Sequence, residues 1–155
     1  QRHPDWKLHI YGEGDLKEEF TRLIDELQLN NNCLLHHTVS NIAEKYCMSS
    51  IFVLSSRYEG LPLVLGEAMA YGVAPVAFAC PCGPRDMITN GKNGLLVENG
   101  NIEQLAKQIC YLIENENIRI EMGRQAKIRA KDFTMEVISR QWKSLFEELM
   151  EYAPQ

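Results

Sequence analysis

The segment IFVLSSRYEGLPLVLGEAMAYGVAPVAF, residues 51–78, decides the fold. Its first four residues, Ile51-Phe52-Val53-Leu54, form an uninterrupted apolar run rich in β-formers, the pattern of a central strand covered on both faces. Ala74-Pro75-Val76-Ala77-Phe78 is a second such run, and a proline is tolerated there only because it stands near the start. Between the two lies a helix-length stretch carrying Leu63, Val64, Leu65, Ala68, Met69 and Tyr71. Two strands joined through a helix make a parallel crossover.

The same alternation extends in both directions. Trp6-Lys7-Leu8-His9-Ile10-Tyr11 alternates apolar and polar residues and stops at Gly12, as a strand running into a turn does. Beyond Gly12-Glu13-Gly14-Asp15, residues Leu16, Phe20, Leu23, Ile24 and Leu27 recur at helical spacing, with Asp15 expected as N-cap and Glu18 three residues on. Such a turn presents backbone amides that suit a phosphate, although a tight turn needs glycine in any case. Cys33 to His37 reads as a second strand. His36 and His37 are adjacent on it, point to opposite faces and cannot share one metal. Ser40 is expected to cap a helix carrying Ile42, Ala43, Tyr46 and Cys47.

After residue 78, Cys80-Pro81-Cys82-Gly83-Pro84 must be loop. A short helix from Arg85 to Ile88, a turn at Asn90 to Gly94 and a small strand Leu95-Leu96-Val97 follow. Asn101 and Gln104 resemble a capping box for a helix with Ile102, Leu105, Ala106, Ile109, Leu112 and Ile113 on one face. A charged helix comes next, from about residue 117 to 130. Thr134 is expected to cap a last helix striped by Ile138, Trp142, Leu145 and Leu149. Strands alternating with helices throughout imply a doubly wound, parallel, Rossmann-like α/β sheet. In such sheets ligands bind at the carboxyl ends of the strands, where Gly12 to Asp15, Ser55 to Pro62 and Ala79 to Pro84 all fall.

Composition narrows the function. At 155 residues and 45% apolar the chain suits one domain. A net charge of −5 offers no basic footprint for nucleic acid, so any anion must be captured locally. The five cysteines, Cys33, Cys47, Cys80, Cys82 and Cys110, lack metal-ligand spacing and read as buried thiols of a reducing, cytoplasmic compartment. No apolar run approaches the roughly 18 residues of a membrane span.

Two glutamates carry the chemistry. Glu67 is the lone charged residue between Gly60 and Pro84, and a carboxylate amid apolar helix positions is costly to desolvate without a hydrogen-bond partner. Taken singly, a solvated Glu59 and a Glu67 paired with a neighbouring Lys or Arg would be the simpler readings. Pro62, however, suits the first helical position, so the amides of Gly60 to Leu63 are expected to point out of the helix with its positive dipole end behind them. Glu67 then lies about 7–8 Å along the axis and Glu59 just ahead of it. The carboxylates flank an anion site instead of facing each other as an acid/base pair. A diphosphate linking two sugars satisfies that arrangement, with one carboxylate for each vicinal diol.

These residues resemble a family. Glu59 and Glu67, with seven residues between them, match the E-x7-E motif of the retaining nucleotide-sugar glycosyltransferases of glycosyltransferase family 4, which have the GT-B fold. The likeness continues through Ser55 to Ala70, Tyr11-Gly12-Glu13-Gly14, Cys82-Gly83-Pro84-Arg85-Asp86 and Asn93-Gly94-Leu95-Leu96-Val97. Gly66 stands where a larger apolar residue is more usual in the family, and Asp86 where Glu is commoner.

The resemblance implies the donor-binding, C-terminal half of a GT-B fold over residues 1–155, lacking that half's first strand and helix with their diphosphate-gripping Arg and Lys. It implies that Glu59 is the catalytic residue at the donor sugar and that Glu67 binds the ribose hydroxyls of a UDP- or GDP-sugar. Gly60, Leu61, Pro62 and Leu63 would hold the diphosphate and sugar, while Thr38, Val39 and Ile42 would border the base. Gly12 and Gly14 would join the donor site, and Gly83 and Pro84 would approach the sugar. No metal or cofactor is implied, since the nucleotide-sugar is a substrate. A hexose-type sugar would pass to a glycan or lipid-linked acceptor held by the N-terminal domain, to which the helix 134–152 would cross, leaving Trp142 and Phe146 exposed here. The fragment alone would be inactive, and the full-length protein would be cytoplasmic, with possible association with the inner face of the membrane. Other readings of the fold are a nucleotide-sugar epimerase, a phosphorylase domain or a noncatalytic α/β interaction module.

Overall fold

The computed structural model describes residues 2–151; Tyr152, the last position of the expected terminal helix, lies outside the described residues. The elements in order are β1 (Leu8–Tyr11), α1 (Lys17–Glu26), β2 (Cys33–His36), α2 (Ile42–Cys47), β3 (Ile51–Leu54), α3 (Leu63–Ala70), β4 (Ala74–Phe78), α4 (Pro84–Met87), β5 (Leu95–Val97), α5 (Ile102–Glu114), α6 (Glu116–Ala130), a 3-10 turn (Lys131–Phe133) and α7 (Met135–Glu151). They divide between two compact units, Gln1–Glu44 and Lys45–Gln155. The parallel α/β alternation is present as two sheets, β1-β2 in the first unit and β3-β4-β5 in the second.

In the first unit Leu8 stands opposite Cys33 and Tyr11 opposite His36. His9 and His36 stack at 5.1 Å and Tyr11 and His36 at 4.6 Å, so these rings line one face. His37 instead meets Glu13, Nδ1 to Oε1 at 2.9 Å, as expected of neighbours that alternate faces. Two expected caps are displaced. Leu16, not Asp15, precedes α1 and no side chain caps it, because the Lys17 amide bonds back to the Gly14 carbonyl at 3.1 Å and carries the turn past Asp15. Asn41, not Ser40, stands before α2, and its amide donates to Glu44 at 2.7 Å. With two strands the unit buries little: Leu8, Ile10, Phe20 and Leu23 are exposed.

In the second unit the middle strand is β4, which corrects the expectation that Ile51–Leu54 is central. An apolar run reports that a strand is covered, not which strand has two neighbours. Every residue of β4 is buried. Its alternate residues divide the core: Ala74, Val76 and Phe78 pack with Leu95, Val97, Leu105 and Leu112, while Ala77 packs with Leu54, Leu65, Met69 and Met87. Helices therefore cover both faces of this sheet. α6 contributes to both, Met122 to the first cluster and Ala126 to the second. Gly123 between them lies against the chain entering β4, and a Cβ there would land on the Gly72 carbonyl oxygen. Gly72, at φ +78°, ends α3 with its amide on the Met69 carbonyl at 2.9 Å and the Val73 amide on Ala68 at 3.1 Å.

The Asn101 side chain caps α5, its Oδ1 accepting the Gln104 backbone amide at 3.0 Å. The Gln104 side chain turns to the Glu98 amide at 3.4 Å, so only half of the capping box forms. Thr134 stands directly before α7 and its carbonyl accepts the Ile138 amide at 3.0 Å, while its hydroxyl donates backwards to the Lys131 carbonyl at 3.2 Å. α7 buries none of its residues; Trp142 and Phe146 are exposed, as expected, and stack on each other at 5.6 Å. The thiols are not uniformly buried. Cys80 is enclosed, Cys33 and Cys110 are half-buried, and Cys47 and Cys82 are exposed, because their segments are helix and loop surface instead of core strand.

Two helical glycines should respond in opposite ways to alanine. Gly123→Ala meets backbone and should cost about 2–3 kcal/mol or more in urea unfolding. Gly66→Ala meets only the Met87 terminal methyl at 3.1 Å, and the gain of about 1 kcal/mol in helix propensity should keep it within about 1 kcal/mol of the parent. The thiols should also separate: at pH 8 Cys47 and Cys82 are expected to alkylate readily. Cys80, whose thiol burial pushes above its ordinary value, should react only on unfolding, as read by mass spectrometry of labelled peptides.

Candidate ligand site at the carboxyl ends of the second sheet

With α6 closing the amino end of β4, the loops at the carboxyl ends of β3 and β4 are where the second unit presents functional groups. The loop after β3, residues 55–62, leads into α3, and the loop after β4, residues 79–83, leads into α4. They touch through glycine. Gly83 has φ +83°, and a Cβ on it would sit 2.5 Å from Pro62 Cδ and 2.7 Å from the Gly60 carbonyl oxygen. No other residue type combines that dihedral with that clearance. The Gly83 amide donates to Asp86 Oδ2 at 3.0 Å, which holds the loop at the start of α4. Arg85 donates from Nε to the Ala79 carbonyl at 3.0 Å, closing the same loop from its other end. Asn99, beyond β5, donates to the Arg57 carbonyl at 2.8 Å and tethers the loop after β3.

Pro62 is the N-cap residue, at φ −74° and ψ 90°, and not the first helical residue. Its carbonyl accepts the amides of Leu65 at 3.0 Å and Gly66 at 3.3 Å. An extended ψ is what an N-cap needs, and proline supplies no N–H of its own. The expected anion-binding donors are therefore Gly60, Leu61 and Leu63, joined by Val64, whose amide lies in the unsatisfied first turn. Leu61 and Leu63 are exposed beside them. Glu59 is half-buried on the loop and close to Cys80. Burial is the main cause of the raised Cys80 thiol, and the Glu59 carboxylate adds to it.

Glu67 differs from its expected state. It is exposed, so no desolvation forces a partner upon it. It nevertheless has one: the Tyr46 hydroxyl donates to Glu67 Oε2 at 3.0 Å. Among the described residues the ion pairs of Lys and Arg are made elsewhere, which removes the alternative of a Glu67 neutralised by a neighbouring helix. Tyr46 is buried, stacks on Tyr71 at 5.7 Å and meets Phe52 edge-on at 6.2 Å. Burial and, after it, the bond to Glu67 push its phenol well above the ordinary range, so it is a donor at any physiological pH. Sequence reasoning placed Tyr46 only among the apolar positions of its helix. A buried tyrosine hydroxyl needs an acceptor, and that need was the available signal.

The structure thus brings Glu59, Gly60, Pro62, Gly83 and Pro84 to one place, with Leu61 and Leu63 on the same loop and helix start and Glu67 further along α3. The other expected residues belong to the first unit. The Gly12 amide donates to the His36 carbonyl at 3.2 Å and the Gly14 carbonyl accepts the Lys17 amide at 3.1 Å, so both serve the turn after β1. Thr38 and Val39 are exposed after β2, and Ile42 is the first residue of α2. Among the described residues no group of three or more His, Cys, Asp or Glu is gathered as a metal site.

Known proteins share this arrangement of strands and loops. Residues 1–129 match the family Glycosyl transferases group 1. An uncharacterized glycosyltransferase of Haemophilus influenzae is 34% identical over 145 residues, which cover 94% of this chain and 41% of the relative. The poly(ribitol-phosphate) alpha-N-acetylglucosaminyltransferase of Staphylococcus aureus is 34% identical over 141 residues, 90% of this chain and 29% of the relative. A mutant of S. aureus TarM, crystallised with Fondaparinux, alpha-GlcNAc-glycerol and UDP, superposes with a TM-score of 0.85 at 34% identity, over 90% of this chain and 29% of that one. The chain spans less than half the length of each of these relatives. The parallel sheets, the glycine-tied loops and the match over residues 1–129 lead to one conclusion: the chain belongs to the glycosyl transferases group 1 and carries a Rossmann-like part of their GT-B fold.

Proposed function

We propose that this chain is the nucleotide-sugar-binding portion of a retaining glycosyltransferase, which moves a hexose-type sugar from a nucleoside diphosphate to a glycan or lipid-linked acceptor. The observation that carries the reading is the pair of carboxylates, Glu59 and Glu67, set on either side of the α3 amino terminus where the Gly83 loop meets Pro62. Donor amides and the positive end of the helix suit a diphosphate, and they are most useful when the bond from sugar to phosphate breaks and negative charge gathers on the leaving oxygen. That stabilisation is assigned to the chain, with no metal in the role. Glu67 accepts from the ribose diol and Glu59 from the donor sugar at the reacting carbon. Gly83 and Pro84 shape the sugar side of the site. The UDP bound by the 34% identical TarM mutant supports uridine over guanosine as the base.

The acceptor, in this reading, is held by an N-terminal domain against which the exposed stripe of α7, Trp142 and Phe146, is covered. No helix among the described residues is long and apolar enough to cross a membrane. A cytoplasmic enzyme meeting a lipid-linked acceptor at the inner face of the membrane fits the proposal.

Calorimetry of the full-length protein should show UDP binding more tightly than GDP. Glu67→Ala should weaken UDP at least about tenfold, the size of losing hydrogen bonds to a charged acceptor. Unchanged affinity in that variant would sink the assignment. Glu59→Gln should leave UDP affinity within about twofold and lower the turnover number for sugar transfer on the order of a hundredfold, because its partner is the sugar and not the nucleotide.

A further inference from the structure

Glu67 is an exposed carboxylate on the outer face of α3, and a free glutamate there would sample many rotamers. Recognition of a vicinal diol requires the opposite: two acceptor sites held at a set spacing and direction. The second unit contains one contact that supplies this. The Tyr46 hydroxyl reaches Glu67 Oε2 at 3.0 Å, leaving Oε1 and the remaining lone pair of Oε2 for a ligand.

The tyrosine is itself immobilised. Its ring is buried, lies flat against Tyr71 with 23° between the planes, and is met by the edge of Phe52 at 68°. The same hydroxyl lies 3.4 Å from the Val64 carbonyl, one turn before Glu67 on the same helix. A single proton serves one acceptor at a time, and the shorter contact, to a charged oxygen, is the stronger. A phenylalanine would fill this aromatic nest equally well. What the hydroxyl adds is the tie to Glu67.

We infer that Tyr46 is a positioning residue for the nucleotide site, a buried strut from α2 that fixes the Glu67 carboxylate in the orientation that receives the ribose diol. The inference rests on the reading of Glu67 as the ribose-binding carboxylate. It adds a residue outside the two strand-end loops to the determinants of donor affinity. It also makes a specific claim: Tyr46 touches no ligand, and all its effect on the ligand passes through Glu67.

Tyr46→Phe retains the ring and its packing, so the fold should persist, with cooperative thermal unfolding as the control. Calorimetry of the full-length protein with UDP and with 2′,3′-dideoxy-UDP then separates the roles. Tyr46→Phe should weaken UDP about fivefold to tenfold and leave the dideoxy nucleotide within about twofold. In a Glu67→Ala background, adding Tyr46→Phe should change UDP affinity by less than about twofold, since the strut then has nothing to hold. In steady-state transfer the variant should raise KM for the donor and leave kcat unchanged. Equal losses for both nucleotides, an additive double variant, or no loss for UDP would each overturn the inference while a sensitive Glu67→Ala leaves the ribose reading standing. If Glu67→Ala itself has no effect on UDP, the ribose reading falls, and the strut falls with it.

Discussion

The strand Ala74–Phe78 has no free face and no free amino end, and the placement of the site depends on that constraint. Its alternate residues are divided between two apolar clusters, each roofed by helices. Its entry is closed by α6, where Gly123 lets two backbones approach more closely than any side chain would allow. Polar groups of a chain so enclosed can reach a ligand only from the other end of the strand. The loops after β3 and β4 emerge there, and a second close approach of a glycine, Gly83 against the Gly60 carbonyl and the Pro62 ring, joins them. One tight glycine contact shuts the amino end of the sheet and another gathers the loops of the candidate site.

Much of this was legible because it depends on local chemistry. β3, β4 and β5 occupy the residues expected of them, since short apolar runs bounded by Ser, Gly and Pro leave little freedom in where a buried strand begins and ends. Strand order was not legible: Ile51–Leu54 and Ala74–Phe78 are equally apolar, and only pairing makes the second the middle strand. Caps failed for a related reason. Asp15, Ser40 and Thr134 are suitable residue types, but the chain enters each helix one residue later or turns the side chain elsewhere, as the Thr134 bond to Lys131 shows. Capping is decided by the dihedral path into the helix, which a residue type favours without determining.

The candidate site divides along the same line. Glu59, Gly60, Pro62, Gly83 and Pro84 could be gathered from sequence because their spacing and turn chemistry are local to strand ends. Tyr46 could not, since its partner Glu67 is 21 positions away and the two meet only after α2 and α3 have taken their places. The cost of carboxylate burial pointed to a hydrogen-bond partner for Glu67, and a partner exists. The premise was nonetheless wrong, because Glu67 is exposed.

That error has a physical cause which bears on recognition. α3 is apolar on every side, a pattern that normally marks a fully buried helix. Leu65, Ala68 and Met69 are indeed enclosed, yet Leu63, Val64, Glu67, Ala70 and Tyr71 form a continuous outer face at helical spacing. That outer face presents one carboxylate, Glu67, set among Leu63, Val64 and Ala70, with the Tyr71 hydroxyl as its other polar side-chain group. Direction then matters more than charge. A carboxylate free to rotate over an apolar surface would meet a diol in many poses, whereas one tied at Oε2 to a buried phenol offers a single approach. In the proposed reading the strut sets the angle of the carboxylate, and the amino terminus of the same helix receives the phosphates.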